Sequence, residues 1–237
     1  MRAQLNRVAI VVGLLFALPV VAVVGRVRRR AGRRVAVRAI TSIARVCGIR
    51  VDVHGADRLD DHGSYVLVPN HTSPLDIAAV LIARPDAQFV AAAGLFRIPL
   101  LSSAMRAIGT TPIARHDHER ARERVTELAQ AVDDRELVVF AEGGIAPTSE
   151  LLPFKTGAFV IAISTGVPVV PIAISGAPEI LPRHGRLRAR PGTLRIEVLQ
   201  PVPTAGLVVD DRHELAQRVR SAIIESLPGA SVDSAVA

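Results

Sequence analysis

Cysteine, tryptophan and lysine are nearly missing from this 237-residue chain, and each shortage excludes something. A single cysteine, Cys47, leaves no internal disulfide and no cysteine-built zinc site. With no Trp and 3% aromatic residues, a stacking platform for single-stranded nucleic acid is excluded. No G-x-S-x-G occurs, so a serine hydrolase with a nucleophile elbow finds no support. Lys155 is the only lysine, against 28 arginines. In such a chain one Lys suggests a position that needs a compact ammonium, although chance survival in an Arg-rich composition explains it equally.

Acidic residues are missing from one region in particular. Residues 1–51 hold eleven Arg and no Asp or Glu, whereas the other 186 residues hold 18 basic and 22 acidic groups. The first segment carries +11 and the remainder −4, which sum to the net +7, so the basicity belongs to the N-terminus, which fits a bilayer surface better than nucleic acid. Residues 8–24, VAIVVGLLFALPVVAVV, form an uncharged run broken only by Gly13 and Pro19. As a helix this run is about 26 Å long, just short of a ~30 Å hydrocarbon core, so it either crosses a thinned bilayer or lies in one leaflet. Arg26, Arg28, Arg29, Arg30, Arg33 and Arg34 follow it, and only Arg2 and Arg7 precede it. Positive charge resists translocation, which places the domain on the cytoplasmic face of the membrane. A cleaved signal peptide is the rival reading, but no small-x-small site precedes the arginines. A buried core helix is the other, and it must account for six abutting arginines.

Residues 35–47 put Arg34, Arg38, Thr41, Ser42 and Arg45 on one helical stripe. Such a helix lies on an anionic bilayer or packs on the domain as an ordinary surface helix. The expected organisation is a hydrophobic anchor with its Arg-rich flank over residues 1–34, one domain over 35–228 and a flexible tail over 229–237.

From residue 50 onward, β-rich runs alternate with helical ones. Strands are predicted at 50–54, 65–69, 88–92, 137–141, 167–175 and 193–199, and helices at 75–84, 100–108, 118–133, 154–165 and 211–227. This alternation predicts a single-domain α/β fold, with a mostly parallel central sheet flanked by helices and the N-terminal hydrophobic membrane helix in front.

Two strand ends carry candidate chemistry. YVLVPNHTSPLD, residues 65–76, is an apolar strand that ends at Asn70-His71, with Pro74 suited to a first helical turn and Thr72 or Ser73 to its cap. On one continuous helix His71 and Asp76 would stand about 140° apart. With His71 in the preceding turn, the chain can fold back and bring the carboxylate to the imidazole, fixing its tautomer. A lone strand-end His with Asp76 as a helix-start charge is the plainer alternative. ELVVFAEGG, residues 136–144, runs a second strand into Glu142-Gly143-Gly144, where glycines permit close backbone approach and exposed N–H groups suit an anion. LLPFKTGAF, residues 151–159, follows and contains Lys155.

Together these segments resemble the glycerolipid acyltransferases, the lysophosphatidic acid acyltransferase family. His71-x-x-x-x-Asp76 resembles that family's catalytic H-x-x-x-x-D motif. LFRIPLLSSAMRAIGTTPIAR, residues 95–115, is similar to its second block, with Leu95, Pro99, Gly109 and Arg115 on matching positions. FAEGG and the following LLPFKTGAF resemble the third block, and VPVVPIAIS, residues 167–175, the fourth, with Pro171 at its centre. The resemblance implies transfer of a fatty acyl group from an acyl thioester (acyl-CoA or acyl carrier protein) to the free hydroxyl of a lysophospholipid, 1-acylglycerol 3-phosphate first among them. It implies His71 as general base and Asp76 as its orienting partner, with backbone N–H groups near the helix that starts at Pro74 holding the oxyanion. Glu142, Gly143 and Gly144 would shape the acceptor site, and Arg115, Lys155 and Arg97 would meet phosphate or carrier anions. No metal or cofactor is implied. The implied partners are a membrane lipid acceptor, the thioester donor and the bilayer surface, with no nucleic acid.

Two departures bear on the acceptor. Ile145 stands where the family carries an arginine associated with acceptor phosphate, and Ile145 neither donates a hydrogen bond nor carries charge. Ala93 stands where a basic residue is expected early in the second block, with Arg97 close by. A different lipid acceptor and a non-catalytic acyl-carrier or lipid-binding module remain the alternatives. His116-Asp117-His118-Glu119 reads as a helix start rather than a ligand set, and Arg183, Arg186, Arg188 and Arg190 as solvated loop charge.

Overall fold

The computed structural model describes residues 2–60, 63–113, 136–146, 150–184 and 187–228. Among these, seven strands form one sheet: β1 (Ile49–His54), β2 (Tyr65–Pro69), β3 (Gln88–Ala92), β4 (Thr111–Ile113), β5 (Glu136–Val138), β6 (Val169–Ser175) and β7 (Gly192–Val198), ordered β1-β7-β6-β2-β5-β3-β4. Strands β6, β2, β5, β3 and β4 are mutually parallel. β7 runs antiparallel to β6, and β1 is parallel to β7. The mostly parallel α/β sheet expected from the sequence is what the chain forms.

Strand β2 lies at the centre and is buried on both faces, which is why it reads as the unbroken apolar run YVLVP. Its side chains still alternate. Leu67 points to the core under the N-terminal helices, and Val66 and Val68 point to the core on the opposite face. That second core is closed by α5 (Gly157–Thr165), through Phe159 and Ile161, and by α7 (Arg212–Ser226), through Leu215, Val219 and Ile223. The remaining helices are α3 (Leu75–Ala83), α4 (Pro99–Ala107) and the short α6 (Ala177–Ile180).

The N-terminus forms two helices, α1 (Arg2–Val27) and α2 (Arg29–Val46), broken at the extended Arg28 and packed on each other. At 26 residues α1 is longer than the uncharged run, about 39 Å, and it continues through Pro19. It is long and apolar enough to cross a membrane. One face is buried at Asn6, Ile10, Val21, Ala22 and Gly25, while the other exposes Leu5, Val8, Val12, Leu15, Phe16, Val20, Val23 and Val27. Both ends of α1 touch the rest of the molecule. Near its start the Asn6 amide donates to the carbonyls of Cys47 (3.1 Å) and Ala189 (3.0 Å). Near its end a Cβ on Gly25 would lie 2.9 Å from Ala107 of α4, and one on Gly32 only 2.5 Å from Gly25, so glycine there permits the helices to touch.

Several sequence expectations need correction. Arg33 does not join its neighbours in solvent. It is buried and donates to the carbonyls of Ile108 (2.8 Å) and Asp86, pinning α2 to the domain. Arg34, Arg38, Ser42 and Arg45 do form an exposed stripe. Residues 154–156 precede the helix instead of beginning it, because the Lys155 N–H is tied to the Ala141 carbonyl (2.8 Å). Strand β4 was not anticipated. The helix predicted at 118–133, the segment His116–Glu119 and the tail 229–237 lie outside the described residues.

Candidate active site

Strand β2 delivers its chain to a tightly bonded loop at residues 70–76. The Asn70 side chain takes over where the backbone ladder stops, accepting from the Ile174 N–H (2.7 Å) and donating to the Ile174 carbonyl (3.0 Å) on β6. His71 follows, only 7% exposed, and its Nδ1 lies 3.1 Å from Oδ2 of Asp76, which is fully buried in the first turn of α3. The same Oδ2 accepts the N–H groups of Thr72 (2.7 Å) and Ser73 (2.8 Å), so the carboxylate shapes the loop as well as the imidazole. Ser73 Oγ accepts the Leu75 N–H (3.1 Å) and donates to the Leu181 carbonyl (2.6 Å). The N-cap position of α3 is Pro74, where Thr72 or Ser73 was expected; Ser73 instead closes the turn before it and fastens the loop to the segment after α6. The His71 ring rests on Phe140, with centroids 4.2 Å apart.

Burial pushes the Asp76 carboxyl above its ordinary value, while the hydrogen bond from His71 and the N–H groups of Ser73 and Thr72 pull it back. One oxygen carries all of these donors, and Oδ1 has no partner among the described residues. With Asp76 ionised, Nδ1 of His71 is the protonated nitrogen and Nε2 the basic one.

The parallel register of β2 and β5 pairs Leu67 with Val138, so His71 and Glu142, each four residues further on, leave the sheet side by side. Glu142 is buried. Its Oε1 accepts the His71 N–H (2.6 Å) and its Oε2 the Leu152 N–H (2.9 Å). Burial raises its pKa, against the lowering effect of those two N–H groups. The Ala146 N–H returns to the His71 carbonyl (2.8 Å), so the turn 142–146 holds the histidine backbone from both sides. Gly143 adopts φ +72°, where glycine is at ease, and the Lys155 side chain lies over it.

A cavity of about 1050 Å³ opens between α1, α2, α3 and α4 and reaches across the strand ends. Leu14, Leu18, Ile40, Ala78 and Leu101 are typical of its wall, and His71 and Phe140 stand on it. Among the described lining residues Lys155 is the only Lys, Arg, Asp or Glu. The site therefore joins a largely apolar space, a histidine with one nitrogen fixed and one available, and a single cation. No group of three or more potential metal ligands occurs among the described residues.

The candidate residues divide accordingly. His71, Asp76, Glu142, Gly143, Gly144 and Lys155 are brought into one neighbourhood. Arg97 is exposed at the end of the 3₁₀ turn Ala93–Arg97 and does not line the cavity. Arg115 lies outside the described residues. Glu142 shapes the loop behind His71, with both carboxylate oxygens engaged by backbone N–H groups. Four of the N–H groups near Pro74, where the oxyanion role was expected, already have partners. Those of Thr72 and Ser73 are spent on Asp76, that of Leu75 on Ser73 Oγ and that of Asp76 on the Ser73 carbonyl (3.2 Å). Sequence reasoning missed Asn70 and the tie from Ser73 to Leu181, since neither partner is near in sequence.

Comparison with known proteins gives a consistent picture. The family described as Acyltransferase matches residues 50–175. Over 197 residues the chain is 34% identical to 1-acyl-sn-glycerol-3-phosphate acyltransferase alpha of Homo sapiens, covering 78% of this chain and 66% of that protein. It is 32% identical over 186 residues to 1-acyl-sn-glycerol-3-phosphate acyltransferase of Saccharomyces cerevisiae, covering 76% of this chain and 60% of that one. The chain thus spans just under two thirds of the length of these curated relatives. The crystal structure of the 1-acyl-sn-glycerophosphate (LPA) acyltransferase of Thermotoga maritima superposes with a TM-score of 0.74 at 23% identity, over 96% of this chain and 98% of that one, which shows a shared fold.

Proposed function

This chain belongs to the acyltransferase family, and from that premise we propose that it transfers a fatty acyl group from an acyl thioester to the free hydroxyl of a lysophospholipid. The acceptor of first choice is 1-acylglycerol 3-phosphate, the molecule named in its relatives. The observation that carries the reading is the fixed His71 Nδ1 on the wall of a large apolar cavity, which leaves Nε2 for the substrate hydroxyl.

In this mechanism His71 Nε2 takes the hydroxyl proton as the oxygen attacks the thioester carbonyl carbon, a contribution of roughly 10²–10⁴ in rate. Asp76 stabilises the imidazolium that forms. The carbon–sulfur bond then breaks and the departing thiolate takes the proton from His71, so no covalent acyl-enzyme arises. Glu142 and Asn70 are positioning residues that hold the histidine backbone. Lys155, on the wall of the same cavity, meets negative charge on the thioester oxygen or on a phosphate. The donor is carried by coenzyme A or acyl carrier protein, and no cofactor takes part.

The apolar face of α1 supports association with a bilayer. Because both ends of α1 contact the domain, this helix lies in one leaflet with its bare face in the acyl chains. The exposed Arg26, Arg28, Arg29, Arg30 and Arg34 favour the cytoplasmic leaflet.

Radiolabelled acyl thioester offered with a panel of lysolipids tests the proposal. The parent should yield labelled diacyl lipid and His71→Ala none above background. A parent inert toward every lysolipid overturns the function, and equal turnover by His71→Ala removes the base.

A further inference from the structure

We propose that Arg183 grips the phosphate group of the substrate presented to His71, an assignment that rests on the acyl transfer proposed above. Arg183 lies in the segment after α6, and two tethers hold that segment against the catalytic loop. Leu181 accepts the Ser73 hydroxyl (2.6 Å), and Arg183 Nη1 donates to the Ile145 carbonyl (3.0 Å). Ile145 precedes Ala146, whose N–H bonds the His71 carbonyl. One hydrogen bond therefore ties the guanidinium to the 142–146 turn, and the chain two residues before it is tied to the loop that carries His71.

Its chemistry is unspent. A guanidinium has five N–H donors in a planar fork, and the Ile145 carbonyl takes up one. Arg183 is exposed and has no carboxylate partner among the described residues. Lys155 bears on the same turn from the cavity side, over Gly143. Two cations of different shape thus bracket residues 143–145, where Ile145 itself offers neither charge nor side-chain donor. Arg183 does not itself line the cavity, but Gly143 and Leu181 do, so a molecule with its chain in the cavity and its phosphate outside, beyond those two residues, has a bidentate partner within reach in Arg183. Arg188 and Arg190, further along the same loop, are exposed with no side-chain hydrogen bond among the described residues and serve as internal controls. The phosphate belongs either to the acceptor headgroup or to the donor's carrier, and kinetics separates the two.

The test uses the full chain in phosphatidylcholine vesicles, with 1-acylglycerol 3-phosphate and an acyl thioester each varied in turn. Arg183→Gln should raise the KM for 1-acylglycerol 3-phosphate about tenfold or more. Its kcat should stay within about threefold of the parent, Arg183→Lys should recover part of the loss, and Arg188→Gln should match the parent. The same rise confined to the thioester KM would assign the phosphate to the carrier and still support the site. Both KM values unchanged, or a fall in kcat alone with a lowered Tm, would overturn it. If the parent transfers no acyl group at all, the functional reading fails separately. Equilibrium binding of 1-acylglycerol 3-phosphate to parent and Arg183→Gln then decides, with weaker binding by the variant supporting the site and equal binding refuting it.

Discussion

The loop that carries His71 and the helices that roof the cavity are held by opposite kinds of force. Residues 70–76 are fixed by directed bonds: Asn70 to Ile174, His71 to Glu142, Thr72 and Ser73 to Asp76, and Ser73 to Leu181. Helices α1 and α2 are held by close contacts of Gly25, Gly32 and Ala107, and by a few polar pins from Asn6 and Arg33. The first arrangement has little freedom, because each bond lost strands a buried donor or acceptor. The second is largely non-directional and leaves a wide apolar gap. The proposed proton transfer needs the first kind of precision, and the acyl chain proposed for the cavity needs only the second.

Removing the charge from the loop should show the largest effect. Asp76→Asn keeps an oxygen for the Thr72 and Ser73 N–H groups but loses the anion beside His71, so acyl transfer should fall by about 10²–10⁴ with the fold retained. A variant within tenfold of the parent would separate the carboxylate from catalysis. On the helical side, Leu15 and Phe16 are 58% and 75% exposed on the bare face of α1. Replacing both with Ser should weaken binding to phospholipid vesicles by roughly a hundredfold while leaving thermal unfolding in detergent unchanged. Undiminished vesicle flotation would show that this face is not what meets the bilayer.

The two regions also differ in how far the sequence discloses them. A fully buried strand running into His71 and a proline-started helix made the His71–Asp76 contact foreseeable, since all its partners lie within five residues. Glu142 was visible as a residue but not in its task, which depends on the β2–β5 register and joins positions 71 residues apart. Among the helices, Arg33 looked like one more arginine of a basic flank. Its burial follows from how α2 meets the loop before β3 and the end of α4, a tertiary matter. Asn6 looked like an ordinary polar residue ahead of an apolar run, yet it ties the start of α1 back to Ala189. Local periodicity shows where the apolar faces are, and only packing shows which face is covered.

Glu142→Gln gives a smaller and more diagnostic effect. An amide cannot accept both the His71 and Leu152 N–H groups, so unfolding stability should drop by about 1–3 kcal/mol. The pH dependence has a definite sign. Burial raises the folded pKa of Glu142, so its contribution is fully present below the unfolded pKa and is lost as pH rises through the folded value. The stability gap between parent and variant should therefore narrow with rising pH across that window. Chemical denaturation at a series of pH values measures it, and a widening gap would contradict the assignment.

The mildest test probes the apolar half alone. Ala78 lies on α3 two residues beyond Asp76 and lines the cavity. Ala78→Phe adds an aromatic ring to the cavity wall and so should take volume from the cavity. Short acyl thioesters should react with parent-like kcat, while the KM for long ones rises by about tenfold, one step of roughly 1.4 kcal/mol. A uniform loss across all chain lengths would mean the ring had disturbed the loop, and the two regions would then be mechanically coupled. An unchanged chain-length profile would mean the acyl chain lies elsewhere. Only a selective loss for long chains fits a molecule in which the directed bonds set the chemistry and the undirected space admits the substrate.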